Sequence, residues 1–185
     1  MDEIRETLKN KEKRKSTIYL THIETELGLL VAAATDSGIC LLGFSDSKHI
    51  ELKLRQITDY FNASPIRGSN HHLDRLKEQL EQYFKGEHKN FDILLDLVGT
   101  EFQKQAWLCL LQIPYGCTTS YAMQAKLLGK PSAVRAVANA NGKNKISIIL
   151  PCHRVIGSDG ALTGYGGGIW RKKKLLELEK LKKNI

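Results

Sequence analysis

No apolar run in this 185-residue chain exceeds six residues, Leu29 to Ala34, far short of the ~20 that a membrane helix needs. The N-terminus, MDEIRETLKN, lacks the apolar stretch of a signal peptide and carries charges in its place. A cytoplasmic protein with no membrane contact is the expectation. Cysteine is sparse: Cys40, Cys109, Cys117 and Cys152 form no C-x-x-C pair, which argues against a zinc ribbon or a thioredoxin-like motif. They are expected to be free thiols, and neither a metal nor a cofactor is expected. Acidic residues are scarce in one half only. Residues 100–185 hold 14 Lys and Arg against 4 Asp and Glu, whereas residues 1–99 hold 14 against 16. That surplus points either to a polyanion bound by the C-terminal half, with nucleic acid the leading candidate, or to a surface that keeps the chain in solution. The rest is ordinary for a globular protein, with 42% hydrophobic and 26% charged residues, which excludes a wholly disordered or collagen-like chain.

Patterning divides the chain into a charged leader (1–16), an N-terminal β-rich α/β domain (17–97) and a C-terminal domain (98–185). The leader contains the run Lys11-Glu12-Lys13-Arg14-Lys15 and reads as a solvated tail, with a weak phosphate contact as the sharper alternative. Ile18, Leu20 and His22, then Leu29 to Ala34, read as a hairpin, and Asp36-Ser37-Gly38 turns the chain into a strand over Ile39 to Phe44. Ile50, Leu54, Ile57 and Tyr60/Phe61 are spaced as a helix. A second helix runs from Leu73 to Phe84 and stops at Gly86. Phe91 to Leu97 reads as one more strand, and His71 and His72 as a surface loop. Nothing in this half reads as chemistry.

The C-terminal half opens with a helix over Phe102 to Gln112, broken at Ile113-Pro114-Tyr115-Gly116. Ser120 is placed to cap a helix from Tyr121 to Leu128. Gly129-Lys130-Pro131 turns into a further helix from Ser132 to Asn141, with Gly142 as its stop. Two short helices around a three-residue turn fit a helix-turn-helix, and equally an ordinary helical hairpin. The second helix carries one basic residue, Arg135, among small side chains. A buried strand, Ile146 to Leu150, leads into Pro151-Cys152-His153-Arg154-Val155. A glycine-rich loop, Gly164 to Gly168, precedes a last helix over Ile169 to Lys182. Leu175, Leu176, Leu178 and Leu181 form its apolar face, against a Lys-rich face read as solvated.

Cys152 follows a proline at the end of that strand. A cysteine reacts as its thiolate, which needs a nearby base or positive charge. His153 is the obvious base. On an extended chain, however, neighbouring side chains point to opposite sides, so a water bridge fits better than a direct bond. His153 needs an acceptor to fix its tautomer. Glu179 on the last helix is a better placed candidate than Asp159, which sits in a turn. A buried cysteine beside a satisfied core histidine fits the same pattern.

These residues closely resemble the methylated-DNA–protein-cysteine methyltransferases, also called O6-alkylguanine-DNA alkyltransferases. The likeness runs from about Gly99 to Glu179, nearly half the chain. It rests on Pro151-Cys152-His153-Arg154-Val155, with Phe102…Trp107, Ile113-Pro114-Tyr115-Gly116, Ser120-Tyr121, Arg135-Ala136-Val137, Asn144, Gly164-Tyr165 and Leu175-Leu176…Glu179 in the family's order and spacing. The N-terminal half is similar more loosely. The resemblance implies an α+β fold: a small β-rich, ribonuclease H-like domain, then a mostly helical domain with a winged-helix-like helix-turn-helix.

It also implies a single-turnover DNA repair methyltransferase that moves a methyl group from O6-methylguanine to Cys152, with O4-methylthymine as a second candidate substrate. In that scheme His153 acts through water, Glu179 orients His153, Tyr121 donates to the guanine, and Asn144 braces the segment before Cys152. Arg135 enters the stack left by the rotated base. Val155, Tyr165 and Gly166 shape the pocket. The implied partner is double-stranded DNA containing alkylated bases, bound by a monomer. Lys145, Ser147, Gly166 and Ala122-Met123 depart from residues common in the family, which bears on alkyl-size preference. A non-catalytic, alkyltransferase-like lesion binder is the alternative, and a cysteine hydrolase is a third reading.

Overall fold

The structure, a computed structural model, describes residues 16–182. Apart from Ser16, the charged leader lies outside the described residues. Strand β1 (Ile18–Ile23) pairs antiparallel with β2 (Leu30–Thr35), and β2 pairs antiparallel with β3 (Gly38–Phe44). β1 forms where the sequence alternates, and β2 and β3 form where apolar runs are bounded by turn residues. A fourth strand, β4 (Pro65–Arg67), lies parallel to β1 and gives the order β3-β2-β1-β4. It has no sequence signal of its own. Helix α1 (Ile50–Phe61) returns the chain to the open edge of β1, where a proline at the start of an edge strand costs no central ladder bond.

Every residue of β2 and β3 is buried, so both faces of these strands are covered. Their register passes from Ala33↔Leu41 to Ala34↔Ile39, leaving Cys40 as a bulge. Ile39, Leu42 and Phe44 therefore face one side together. They pack there against Leu76, Leu80 and Tyr83 of α2 (His71–Lys85) and against the C-terminal half. Val31, Ala33 and Leu41 face the other side, against Ile57 and Phe61 of α1. Each fully buried leucine contributes ~1.5–3 kcal/mol relative to exposure, so apolar layers hold this half.

Two expectations fail here. His71 and His72 are not a loop: Asn70 caps α2 by accepting from the Leu73 N–H at 3.1 Å, which starts the helix before its apolar stripe. His72 is buried, with Nε2 3.2 Å from the Asp36 carbonyl. Phe91–Leu97 is not a strand. Its backbone meets the sheet at a bridge of Leu95 to Ile39, where the Ile39 N–H donates to Leu94 O and the Asp96 N–H to Ile39 O.

Helix α3 (Glu101–Leu110) begins with a capping box between Thr100 and Gln103. Helices α4 (Tyr121–Leu127) and α5 (Val134–Gly142) form the helix-turn-helix. Ser120 caps α4, accepting from the Met123 N–H at 3.1 Å. The connection is longer than expected, because Gly129 takes a left-handed φ of 68° and the turn then runs through Ala133. Ser132 lies in that turn and caps nothing, and Gly142 sits inside α5 rather than beyond it. Buried polar bonds lock the three helices. Trp107 Nε1 donates to Ala140 O at 2.7 Å, Asn141 Nδ2 to Gln124 Oε1 at 2.7 Å, and Gln124 Nε2 to Ala106 O at 2.9 Å.

Ile146–Leu150 is not a strand either. The Leu42 N–H donates to Lys145 O and the Ser147 N–H to Leu42 O, which pins the segment's start to β3. Beyond that it folds into turns, with Ile148 at φ 72°. Strand β5 (Thr119–Ser120) pairs parallel with β6 (Val155–Ile156). The last helix, α6 (Ile169–Lys182), turns Leu175 into the core but leaves Leu181 74% exposed, against expectation. Arg171, Lys172 and Glu179 are the side chains it buries with Leu175. The Lys-rich face is therefore not wholly solvated. Among the described residues no helix is long and apolar enough to cross a membrane.

Candidate active site

Cys152 sits on the first position of a 3-10 turn, Cys152–Arg154, and is buried. The sequence reading put it on an extended segment. The turn arises because the Cys152 N–H donates to Leu150 O at 2.7 Å and the Arg154 N–H to Pro151 O at 2.9 Å. Asn144 Nδ2 donates to Cys152 Sγ at 3.2 Å and to Leu150 O at 2.9 Å, and its Oδ1 accepts from the Ile146 N–H at 2.9 Å. One amide therefore ties both ends of the preceding loop to the thiol. Burial pushes the Cys152 pKa up; the Asn144 hydrogen bond, Lys53 and Lys172 oppose it.

His153 is fully buried and turns towards α6, where its Nε2 lies 2.8 Å from Glu179 Oε1. Burial lowers the imidazole pKa and outweighs the pull of Glu179, so the ring is neutral at neutral pH. Burial also works against the charge of Glu179, yet the hydrogen bond from His153 and the hydrogen bonds and charge of Arg154 hold its carboxyl below the usual range. A carboxylate facing Nε2 assigns the proton to that nitrogen. Nδ1, buried and without a partner among the described residues, is left as the basic atom. Glu179 is gripped on all sides. Arg154 Nε and Nη2 donate to it at 3.0 and 2.9 Å, Tyr83 Oη at 2.8 Å, and the Gly116 N–H at 3.0 Å.

Above the thiol, Lys172 Nζ donates to Val155 O and to Thr163 O, both at 2.6 Å. Its burial brings its pKa down to about 8. Tyr121 Oη donates to the same Thr163 carbonyl at 3.1 Å. The Tyr165 ring stands 6.3 Å from the His153 ring, nearly perpendicular to it. Gly166 offers its carbonyl to Ser47 Oγ at 2.7 Å. At Gly167 a Cβ would meet Phe44 at 2.6 Å, so only glycine lets the loop pack this closely on β3. Arg135 projects from α5 and is exposed, separate from this cluster.

Of the expected residues, Asn144 is thus hydrogen-bonded to Cys152 and His153 to Glu179, and Tyr121, Val155 and Tyr165 stand around them. Four participants escaped the sequence reading. Arg154 lay inside the quoted motif without a role. Lys172 was assigned to a solvated face, although Lys172, Leu175 and Glu179 share one helical stripe at i, i+3 and i+7. Tyr83 and Lys53 come from the half that showed no chemistry. Lys53 lies on the stripe Lys53–Ile57–Phe61, a charged residue at a buried position. Among the described residues no group of three or more His, Cys, Asp or Glu could hold a metal ion.

Residues 101–181 match the family model described as the DNA binding domain of 6-O-methylguanine DNA methyltransferase, and residues 18–97 match its ribonuclease-like domain. A methylated-DNA–protein-cysteine methyltransferase of Mycobacterium tuberculosis H37Rv is 61% identical over 103 residues, 56% of this chain and 62% of its own length. That of Methanosarcina barkeri is 42% identical over 165 residues, 88% of this chain and 97% of its own. The chain therefore spans under two thirds of the mycobacterial relative and nearly all of the Methanosarcina one. A crystal structure of M. tuberculosis OGT in complex with DNA superposes with a TM-score of 0.76 at 43% identity, covering 89% of this chain and 94% of that one. The α+β order of these matches, sheet domain first and helical domain second, is the order seen here.

Proposed function

The chain belongs to the 6-O-methylguanine DNA methyltransferase family, and from that premise we propose that it repairs DNA by moving an alkyl group from guanine O6 to its own Cys152. The observation that carries this reading is the buried thiol, hydrogen-bonded by Asn144 at 3.2 Å and followed by an imidazole held against Glu179 at 2.8 Å. Sγ attacks the methyl carbon, forming the S–C bond as the C–O6 bond breaks, and the electron pair leaves on the guanine. The thiol proton passes through water to His153 Nδ1, the nitrogen with no partner among the described residues. Glu179 keeps that nitrogen unprotonated by holding the proton on Nε2. Tyr121 Oη turns from Thr163 to donate to the guanine as negative charge develops there. The product is a thioether that water does not cleave, so each chain acts once.

The substrate is double-stranded DNA, with the alkylated base rotated out of the stack because its methyl carbon is out of reach inside the duplex. Arg135, exposed on the second helix of the helix-turn-helix, fits the space that the base vacates. Val155, Tyr165 and Gly166 wall the pocket. O4-methylthymine presents the same electrophilic carbon on a smaller ring. The basic surplus of residues 100–185 supports phosphate contacts. Every group used comes from one chain, so the reaction as written needs no second copy. An acceptor that works only as a thiol fits the reducing cytoplasm.

The test is peptide mass spectrometry after mixing the protein with an equimolar duplex containing O6-methylguanine. The expected result is one methylene-sized mass increase on the Cys152 peptide and no further increase. Cys152→Ala should lose transfer and keep lesion binding. Binding without transfer by the parent protein would replace this reading with that of a non-catalytic lesion binder.

A further inference from the structure

Lys53 belongs to α1, in the N-terminal half, yet it is only 7% exposed and its side chain reaches the acceptor site. Its Nζ donates to the main-chain carbonyl of Asn144, the residue whose side chain donates to Cys152 Sγ. A Cβ at Gly166 would lie 3.4 Å from the same Nζ, so the ammonium also sits at the inner edge of the glycine loop. Among the described residues no carboxylate pairs with it. An ammonium buried without a counter-charge is costly, and it persists where a neighbour gains from its charge.

We propose that Lys53 is a positioning residue for the acceptor: it fixes the Asn144 main chain and sets a positive charge that favours the Cys152 thiolate over the thiol. The inference rests on the reading of Cys152 as the alkyl acceptor. Burial lowers the Lys53 pKa and Cys152 raises it; in return Lys53 opposes the effect of burial on Cys152. Lys172 from α6 acts on the thiol in the same direction. The phenols of Tyr121 and Tyr165 also face the thiol, and Lys145 faces Lys53. His153, neutral, turns away to Glu179. The N-terminal domain thereby takes part in the chemistry, through one side chain crossing to the other half.

The experiment follows alkylation of Cys152 by iodoacetamide in the intact protein from about pH 6 to about pH 10, read on the Cys152 peptide so that the other thiols do not contribute. The S–C bond forms, the C–I bond breaks, iodide leaves and the thiol proton goes to solvent. Lys53→Arg keeps the charge; Lys53→Gln keeps a donor for Asn144 and removes the charge. The expected result for Lys53→Gln is a rate–pH curve displaced upwards by about one unit, hence about tenfold slower reaction on its rising limb. Lys53→Arg should stay within about twofold of the parent, since an opposite or like charge at this range is what moves a thiol pKa. A Lys53→Gln curve that coincides with the parent's overturns the proposal.

If circular dichroism shows that Lys53→Gln does not fold, the test moves to the parent protein. The Lys53 side-chain carbon shift is then followed through pH before and after S-methylation with methyl iodide. Loss of the thiolate should lower the Lys53 midpoint, and an unmoved midpoint overturns the proposal. A parent that reacts with iodoacetamide at Cys152 but takes no methyl group from the methylated duplex fails the functional reading instead, and leaves the Lys53 result standing by itself.

Discussion

In the N-terminal half, β2 and β3 lie buried between α1 and α2 and the C-terminal half, whereas the C-terminal half buries Asn144, His153, Arg154, Lys172 and Glu179 near its centre. The first arrangement is held by non-directional burial, which tolerates small shifts. The second is held by hydrogen bonds with fixed geometry, each expensive to leave unmade. A thiol that must meet one carbon atom benefits from the second kind of support. The sheet supplies what that support lacks, a stiff wall, and its edge strand β3 pins the loop before Cys152 through Leu42.

The sharpest way to separate the two regimes is to remove one anchor from each. Arg154→Met leaves the Glu179 carboxylate buried and short of its main partner, and should cost about 3–5 kcal/mol. Leu76→Ala, under α2, should cost about 2–5 kcal/mol by opening a cavity. Urea unfolding measures both. Methyl transfer, measured where each variant is still folded, should slow in Arg154→Met, because Glu179 no longer orients His153. It should stay parental in Leu76→Ala. Parental transfer by Arg154→Met would break the comparison.

A pH series sharpens it further. The Glu179 carboxyl is lowered from 4.5 to about 2, so between those values the unfolded chain binds more protons than the folded one. The stability from this group is fully present above about 4.5 and is lost as the pH falls towards about 2. Glu179→Gln removes the titration. Its unfolding free energy should be lower at neutral pH and should fall less steeply in acid than the parent's. Parallel acid limbs for the two proteins would show that Glu179 is not the group responsible.

The same contrast decides what could be read without coordinates. Helices α1 and α2 announce themselves because burial of one face imposes a period on sequence, and β2 and β3 because short apolar runs are bounded by turn residues. His72 misled because one cap, Asn70, outranked the apolar pattern. In the C-terminal half the motif around Cys152 was legible through its resemblance, but the segment Ile146–Leu150 was not. Its apolar residues are buried in turns tied by the Asn144 amide, and a short buried apolar run reads the same whether it is a strand or a set of turns. Tyr83 and Lys53 reach the site across the chain from helices at positions 83 and 53, a distance in sequence that no local pattern records. Their only trace was a polar group on an apolar stripe.

The mildest test compares two helix caps. Asn70 caps α2 and also donates through Nδ2 to Thr35 O at 3.1 Å. Ser120 caps α4, accepting from the Met123 N–H. Loss of either cap should cost about 0.5–2 kcal/mol, with Asn70→Ala towards the upper end because it surrenders a second bond. Transfer should distinguish them. Asn70→Ala should leave the rate unchanged, since α2 touches the site through Tyr83 and Glu179, thirteen residues from the cap. Ser120→Ala should slow transfer about twofold, a few tenths of a kcal/mol in barrier, because Tyr121 is the first residue of α4 and frays with it. If both variants transfer at the parental rate, Tyr121 is held instead by its Thr163 bond and by Lys172, whose Nζ lies 5.9 Å from the ring centre. Even this end of the helix would then be fixed by polar contacts with Thr163 and Lys172 rather than by its cap.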